Sequence, residues 1–244
     1  MRTDDSVTRF YEHMYAEGRT GKTPSGLLGQ AFLRLRRFEL HRIPAAFELL
    51  KPGQRMLDLG CGDGTLVALA RASRFREVHA LDVAQPVIQR AQNSCETMLG
   101  SLEGVTIQQA DLNQALPYRN EEFDAVTAIA VIEHIFDPYF TITEIHRVLR
   151  PGGQLIMEVP NLAWLPRRLD VLFGRVPITG DEEGWDGGHL HYFTFRAVRD
   201  LLSSHGFRVE YMGSTGIFPT VRNAWPTLLG GNILASARRL DDAT

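Results

Sequence analysis

The sequence predicts an α/β fold: a mostly parallel sheet with helices on both faces and an antiparallel pair closing one edge. Three observations carry this expectation. From Gln54 onward, short apolar runs alternate with longer stretches of helical spacing, the pattern of strands feeding crossover helices. The runs are apolar at consecutive positions, as strands covered on both faces are. The first run enters a turn with three glycines, Gly60-Cys61-Gly62-Asp63-Gly64, and the second ends on an acid, Asp82.

Element by element, residues 17–29 are turn-rich. Residues 30–50 then carry Phe32, Leu35, Phe38, Ala45, Phe47, Leu49 and Leu50 at helical spacing, interrupted at Pro44. This predicts two helices capping the sheet. Strands are expected at 55–59, 78–82, 105–109, 123–129 and 154–159, and helices at 65–72, 86–99, 139–149 and 194–205. Arg150-Pro151-Gly152-Gly153 reads as the turn between a helix and the strand after it. Residues 208–214 and 232–237 are expected to form the closing antiparallel pair.

Composition narrows the class. A chain of 244 residues, 44% hydrophobic and 23% charged, suits one well-buried domain. We divide it into an N-terminal helical cap (1–50), a cofactor-binding core (54–160), a lid or acceptor insertion (161–192) and a C-terminal helix with closing strands (193–240). A formal net charge of −3 gives no basic surface for nucleic acid. Two cysteines, Cys61 and Cys95, make no disulfide framework and fit a reducing compartment. The N-terminus MRTDDSVTRFYEHMY has no apolar signal core, and no stretch approaches the ~20 apolar residues of a membrane span. The expectation is a soluble, cytoplasmic protein.

The glycine turn separates the possible ligands. Glycines at alternate positions let backbone approach a ligand without Cβ clashes; an ordinary strand–helix corner can look the same. A dinucleotide fingerprint needs its third glycine where this chain has Thr65, and no Gly-Lys-Ser/Thr follows for a phosphate loop. Asp58, just before the turn, would repel a pyrophosphate but suits an ammonium group. An acid such as Asp82 at the tip of the next strand suits a ribose diol.

LDLGCGDG, ALDVA, QADLNQALPYRNEEFDAV, VIEHI and LRPGGQLIMEVPN follow one another in this order. Together they resemble the successive motifs of class I S-adenosylmethionine-dependent methyltransferases, nearest to the ubiquinone-type O-methyltransferases and to sugar or natural-product tailoring enzymes. The resemblance covers about 54–161 and continues more weakly to 240. It implies a Rossmann-like seven-stranded sheet and S-adenosylmethionine as cofactor. By the same resemblance, Asp58, Gly60 and Gly62 hold the methionine part, with Cys61 a small member of the turn and Gly64 shaping it. Asp82 takes the ribose hydroxyls, Val83 packs on the adenine, Asp111 accepts from the adenine amino group, and Leu112 offers its amide to the ring. Ile129 and Ala130 lie where relatives contact the methionine backbone. Many relatives carry Ser and Glu there, so side-chain polar contacts are lost. Tyr11 and Tyr15 are expected to close over the cofactor. For the isolated acids, helix capping by Asp82 and turn formation by Asp111 are the competing readings.

Methyl transfer is an in-line displacement, and the protein supplies alignment and a dry pocket. A hydroxyl acceptor also benefits from a base, usually histidine. Three histidines qualify: His134 in VIEHI, and His189 and His191 in WDGGHLHY. We assign the base to His189, or else His191, and a loop-positioning role to His134. Asp181, Glu182, Glu183, Asp186, His189 and His191 could suggest a divalent cation such as Mg2+ or Mn2+; the acidic stretch is read instead as a solvated loop, with no metal. Within 161–188, Leu165, Leu169, Leu172 and Phe173 recur at helical spacing with Arg167, Arg168 and Arg175 on other faces. We read a helix packed on its own domain, with lid function or peripheral membrane contact through 161–178 as the competing use.

The function expected is methylation of a small-molecule acceptor at oxygen. The alternatives are N-methylation of a metabolite and a non-catalytic binding protein on the same fold. A nicotinamide-dependent reductase is disfavoured by Thr65 and the lack of a Tyr-x-x-x-Lys pair. The Asn/Asp-Pro-Pro-aromatic signature of amino-methylating DNA enzymes is missing. Oligomeric state is left open.

Overall fold

Strands that are apolar on both faces must be covered on both. The computed structural model, which describes residues 39–180 and 185–241, does this with a three-layer arrangement. In chain order the elements are β1 (Glu39–Leu40), α1 (Arg42–Leu49), β2 (Gly53–Leu59), α2 (Thr65–Ser73), β3 (Phe75–Asp82), α3 (Gln85–Leu99), β4 (Val105–Gln109) and β5 (Phe123–Ile129). There follow α4 (Pro138–Val148), β6 (Leu149–Pro160), α5 (Leu165–Leu172), α6 (Phe195–Ser204), β7 (Phe207–Gly213), β8 (Gly216–Ile217), α7 (Pro219–Ala224), α8 (Pro226–Leu229) and β9 (Asn232–Arg239).

The main sheet has seven strands in the order β4-β3-β2-β5-β6-β9-β7. All pairings are parallel except those of β9, which runs antiparallel to both β6 and β7. From β2 the chain winds outward through β3 to β4, then returns to place β5 on the other side of β2. The winding direction therefore reverses between β2 and β5, and in open α/β sheets ligands bind beyond the carboxyl ends of the strands at such a point.

Alternation along β2 feeds two cores. Leu57 and Leu59 join Val126 and Ala128 of β5 under Ile142 and Ile145 of α4 and Val198 and Leu202 of α6. Met56 points the other way and joins Val78, Ala80 and Ala125 under Ala46, Val67 and Ala91 of α1, α2 and α3. Burial of each large side chain contributes roughly 1.5–3 kcal/mol. The helices are started by local chemistry. Asp137 caps α4 by accepting from Phe140 N at 3.0 Å, with Pro138 in the first turn. Thr194 caps α6 by accepting from Ala197 N at 3.2 Å.

Four expectations change. Residues 39–40, expected within the first capping helix, form a short strand paired antiparallel with β8; 30–38 lie outside the described residues. Pro44 falls in the first turn of α1, where its missing N–H had no partner to lose, so the helix continues through it. Arg150 to Gly153 lie inside β6, as an irregularity between the pairs Phe123–Leu149 and Ala125–Gln154. Lastly, α5 has no buried residue, and Leu165, Leu169, Leu172 and Phe173 are exposed. Trp164, stacked by Arg167 and Arg222, fixes its first turn. Among the described residues, no helix is long and apolar enough to cross a membrane.

Arg147 secures the loop from β4 to β5. It donates to the carbonyls of Leu116 (3.1 Å) and Tyr118 (2.8 Å) and to Asn120 Oδ1 (3.0 Å). It is also paired through two nitrogens with Glu144, whose Oε2 accepts from Leu116 N at 2.8 Å. Replacing Arg147 with Met strands a half-buried carboxylate and two carbonyls. We expect a loss of about 2–3 kcal/mol in urea unfolding at neutral pH; an unchanged midpoint would show that the cluster contributes nothing net.

Candidate functional site

At the carboxyl end of β2 the chain enters a glycine turn with left-handed backbone. Gly60, Gly62 and Gly64 have φ of 69°, 55° and 78°. Leu81 O accepts from both Gly60 N (2.8 Å) and Cys61 N (3.1 Å), which ties the turn to β3. Each glycine answers a separate demand. A Cβ on Gly60 would collide with Val131 Cγ2, and one on Gly64 would lie 2.8 Å from Ala91 O of α3. At Gly62 nothing lies within 4 Å, so bare backbone fronts open space. Gly60→Ala is therefore expected to cost about 2 kcal/mol through left-handed strain. Displacement of the turn by Val131 should weaken ligand binding at least tenfold, and calorimetric titration checks it.

Asp58 is 3% exposed, and its carboxylate accepts from Thr127 Oγ1 of the neighbouring strand. Burial pushes Asp58 up to about 7; Thr127 opposes the shift, and the Asp82 and Asp63 charges add to it. A carboxylate so placed favours any cation that reaches it. Asp82 closes β3 and is nearly buried, with Oδ1 accepting from Ala84 N at 3.0 Å. Its capping contact and its place beside the glycine turn thus coexist. Cys61 is buried, and burial pushes its thiol up, away from nucleophilic use.

The next strand end adds the remaining positions. Val83 is half-buried against the core, and its carbonyl accepts from Gln109 Nε2 at 2.8 Å. Asp111 is engaged in its own turn, with Oδ1 accepting from Asn113 N and Nδ2 at 2.9 and 2.8 Å. Leu112 is buried, and its carbonyl accepts from Thr141 Oγ1 at 3.1 Å. Ile129 is packed with the α1–α3 core, and Ala130 beside it has a φ of 55°, a conformation a non-glycine residue adopts at a cost. Asp58, Gly60, Cys61, Gly62, Asp82, Val83, Asp111, Leu112 and Ile129 therefore sit on four adjacent strand ends. Tyr11 and Tyr15 lie outside the described residues, as do Asp181, Glu182 and Glu183.

The three candidate histidines come from two segments distant in sequence. A 3-10 turn, Ile132–His134, follows β5, and another, Trp185–Gly188, precedes His189. Leu190 N and His191 N donate to the backbone carbonyl of Glu133 at 2.8 and 3.1 Å and lock the two together. The rings of His134 and His189 meet edge to face at 4.7 Å. His134 Nδ1 lies 3.3 Å from Gly188 O, which can only accept, so Nδ1 donates. His189 Nδ1 lies 2.7 Å from Thr179 Oγ1, whose own proton goes to Asp186 Oδ2 at 2.6 Å, so this Nδ1 also donates. Nδ1 is thus the donor nitrogen of both imidazoles. Burial raises the Asp186 carboxyl, but hydrogen bonds from the Thr179 hydroxyl and the Gly180 and Thr179 amides, with His189, outweigh it and hold the group below the usual carboxylate range. His191 turns elsewhere, with Nε2 3.2 Å from Phe136 O.

Two participants escaped the sequence reading. Thr179 relays Asp186 to His189, and nothing in a lone Thr announces that. Glu133 is fully buried, and burial, with the neighbouring Glu158 charge adding, pushes it up to about 8. Its one signal was an acid inside an otherwise apolar run.

Comparison with known proteins identifies the family. A family described as a methyltransferase domain matches residues 30–211. The ubiquinone biosynthesis O-methyltransferase of Pseudomonas syringae pv. tomato is 35% identical over 109 residues, 45% of this chain and 45% of that protein. The chain spans less than half the length of the curated relatives it matches. Among solved structures, magnesium protoporphyrin IX methyltransferase from Synechocystis PCC 6803 with bound SAH is similar at a TM-score of 0.68 and 18% identity, covering 97% of this chain and 100% of that one. An S-adenosylmethionine-dependent methyltransferase from Mesorhizobium loti gives 0.60 at 22% identity, over 80% of this chain and 96% of that one.

Proposed function

The chain belongs to the class I S-adenosylmethionine-dependent methyltransferase family, and on that premise we propose that it methylates a small-molecule acceptor at oxygen. The observation that carries the reading is the pairing, on adjacent strand ends, of the buried Asp58 beside a bare glycine turn with Asp82 closing β3. The cofactor supplies an electrophilic methyl group on a sulfonium. Everything else falls to this chain's own residues. Asp58, Gly60 and Gly62 would hold the methionine portion, the carboxylate answering its ammonium group. Asp82 would accept from the ribose hydroxyls, while Val83, Asp111 and Leu112 would border the adenine.

Acceptor-side chemistry rests on His189. The Asp186–Thr179 relay makes Nδ1 the donor nitrogen, so Nε2 is the nitrogen that would take a proton from a hydroxyl. Methylation at oxygen is supported by that paired-histidine chemistry and by the O-methyltransferase name of the similar Pseudomonas protein. The small-molecule reading is supported by the net charge of −3, which gives no reason to expect a nucleic-acid-binding surface.

The test is transfer of a labelled methyl group from S-adenosylmethionine to fractionated metabolite pools. Label should enter a low-molecular-weight product bearing a new methyl ether. Label recovered only in protein or nucleic acid would refute the acceptor class.

A further inference from the structure

Two acids are buried at the carboxyl ends of the strands, and the roles assigned above use neither. Glu133, in the turn after β5, is fully buried, and neither of its carboxylate oxygens has a hydrogen-bond partner. Glu158, near the end of β6, is 1% exposed, and its Oε1 has none either. Ionised, such a pair is uncompensated in a dry site; protonated, Glu133 holds a hydroxyl without an acceptor.

The fold brings the two acids together. Glu158 pairs with Ile129 of β5 and Leu234 of β9, which belong to the α1–α3 core, so its side chain lies on that face of the sheet. Glu133 follows in the next turn, and Ala130 N donates to Glu158 O at 2.9 Å. The Glu158 charge acts on Glu133, and the charge of Arg42, at the start of α1, acts on both. Arg42 nonetheless hydrogen-bonds to none of the three orphaned oxygens. A Glu133 oxygen also lies within 4.8 Å of a ring nitrogen of His134 and one of His189. The acidic pair therefore borders the histidine assigned to the acceptor hydroxyl.

The missing partner is defined by charge and donor count. Neutral hydroxyl groups would satisfy the oxygens and leave the negative charge standing. A primary ammonium brings one positive charge and three N–H donors, as many donors as there are orphaned oxygens. The cofactor's own ammonium group is answered by Asp58 on β2, and β5 separates β2 from β6.

We propose that Glu133 and Glu158 form a subsite for a primary ammonium group carried by the methyl acceptor. The subsite rests on the methyltransferase reading above and narrows its acceptor to hydroxy compounds that bear an amine. Held between carboxylates, the nitrogen stays protonated and has no lone pair, so it anchors the acceptor while the hydroxyl takes the methyl group. Burial pushes Glu133 up to about 8 and Glu158 up to about 6. At pH 7 the empty site thus keeps a proton on Glu133, and an arriving cation expels it.

The full chain is given labelled S-adenosylmethionine and a metabolite pool split at pH 7 on a cation exchanger into retained and unretained fractions. Label is expected in a methyl ether formed from the retained fraction, and amine-selective acetylation of that fraction beforehand should abolish the product. Glu158→Gln and Glu133→Gln should each raise KM for the retained acceptor at least tenfold, with kcat lowered less than threefold. Affinity for S-adenosylhomocysteine should stay within threefold in both, which also confirms their fold. Calorimetry of the purified acceptor at pH 7, in phosphate and in Tris, should show about one proton released on binding, lost in Glu133→Gln. If one glutamine variant does not fold, the other and the fractionation carry the test. A product formed from the unretained fraction, a methyl group found on nitrogen, or an unchanged KM in both variants overturns the subsite and leaves the methyltransferase reading standing. Absence of S-adenosylhomocysteine binding by the unaltered chain brings down that reading and the subsite with it.

Discussion

Replacing Asp58 with Asn is expected to weaken S-adenosylmethionine binding at least a hundredfold while making the unliganded protein more stable at pH 8. Both effects follow from one buried carboxylate. Asp58 is 3% exposed and pushed up to about 7, chiefly by burial. Its folded value lies above the unfolded one, so ionising it costs stability. Stability is highest at pH values below the unfolded pKa near 4 and is lost as pH rises through about 7. A shift of some three pH units corresponds to as much as about 4 kcal/mol. Asn keeps the shape and the Thr127 contact and removes the charge, so the gain should appear in urea unfolding at pH 8 and fade toward pH 4. The same charge answers the ammonium group of the cofactor. Affinity of the unaltered protein should therefore fall as pH drops below about 7, and this acid limb should vanish in the Asn variant. A variant that binds normally, or shows no gain at high pH, would remove Asp58 from the role assigned to it.

The second large effect is expected at His189. His189→Ala should lower kcat by 10²–10⁴, with affinity for S-adenosylhomocysteine changed less than threefold, because the cofactor positions lie on other strand ends. Thr179→Val and Asp186→Asn leave the imidazole in place and disturb its tautomer, so a smaller loss of about tenfold is expected for each. His191→Ala should stay within tenfold, since Nε2 of His191 is already turned to Phe136 O. Single-turnover assays with the identified acceptor check all four. An unimpaired His189→Ala enzyme would leave acceptor activation to a group elsewhere.

Why the sheet was legible and the acceptor side only partly so has a physical explanation. Strand β5 begins and ends where its mostly apolar run does, as a strand covered on both faces should. The glycine turn announced itself because left-handed backbone excludes other residues. By contrast, β1 and β8 are two residues each, too short to carry any period. Pro44 looked like a break because only the helix register shows that its missing N–H fell among groups that are unpaired anyway. The exposed leucines of α5 have the spacing of a packed helix, and spacing alone does not say whether a neighbour exists. At the acceptor side, His134 and His189 were visible as histidines, but their meeting depends on contacts across more than fifty positions. The Asp186–Thr179–His189 relay runs through a loop containing left-handed Asp186 and Gly187, which no periodicity describes.

The central claim is that the ends of β2 and β3 form a methyl-donor site. Calorimetric titration of the full chain with S-adenosylhomocysteine, alongside NADH, tests it most directly. The account predicts one saturable site for S-adenosylhomocysteine, weakened at least tenfold by Asp82→Ala and a hundredfold by Asp58→Asn, and no heat of binding with NADH. Saturable binding of NADH with none of S-adenosylhomocysteine, or S-adenosylhomocysteine binding indifferent to both substitutions, would contradict it.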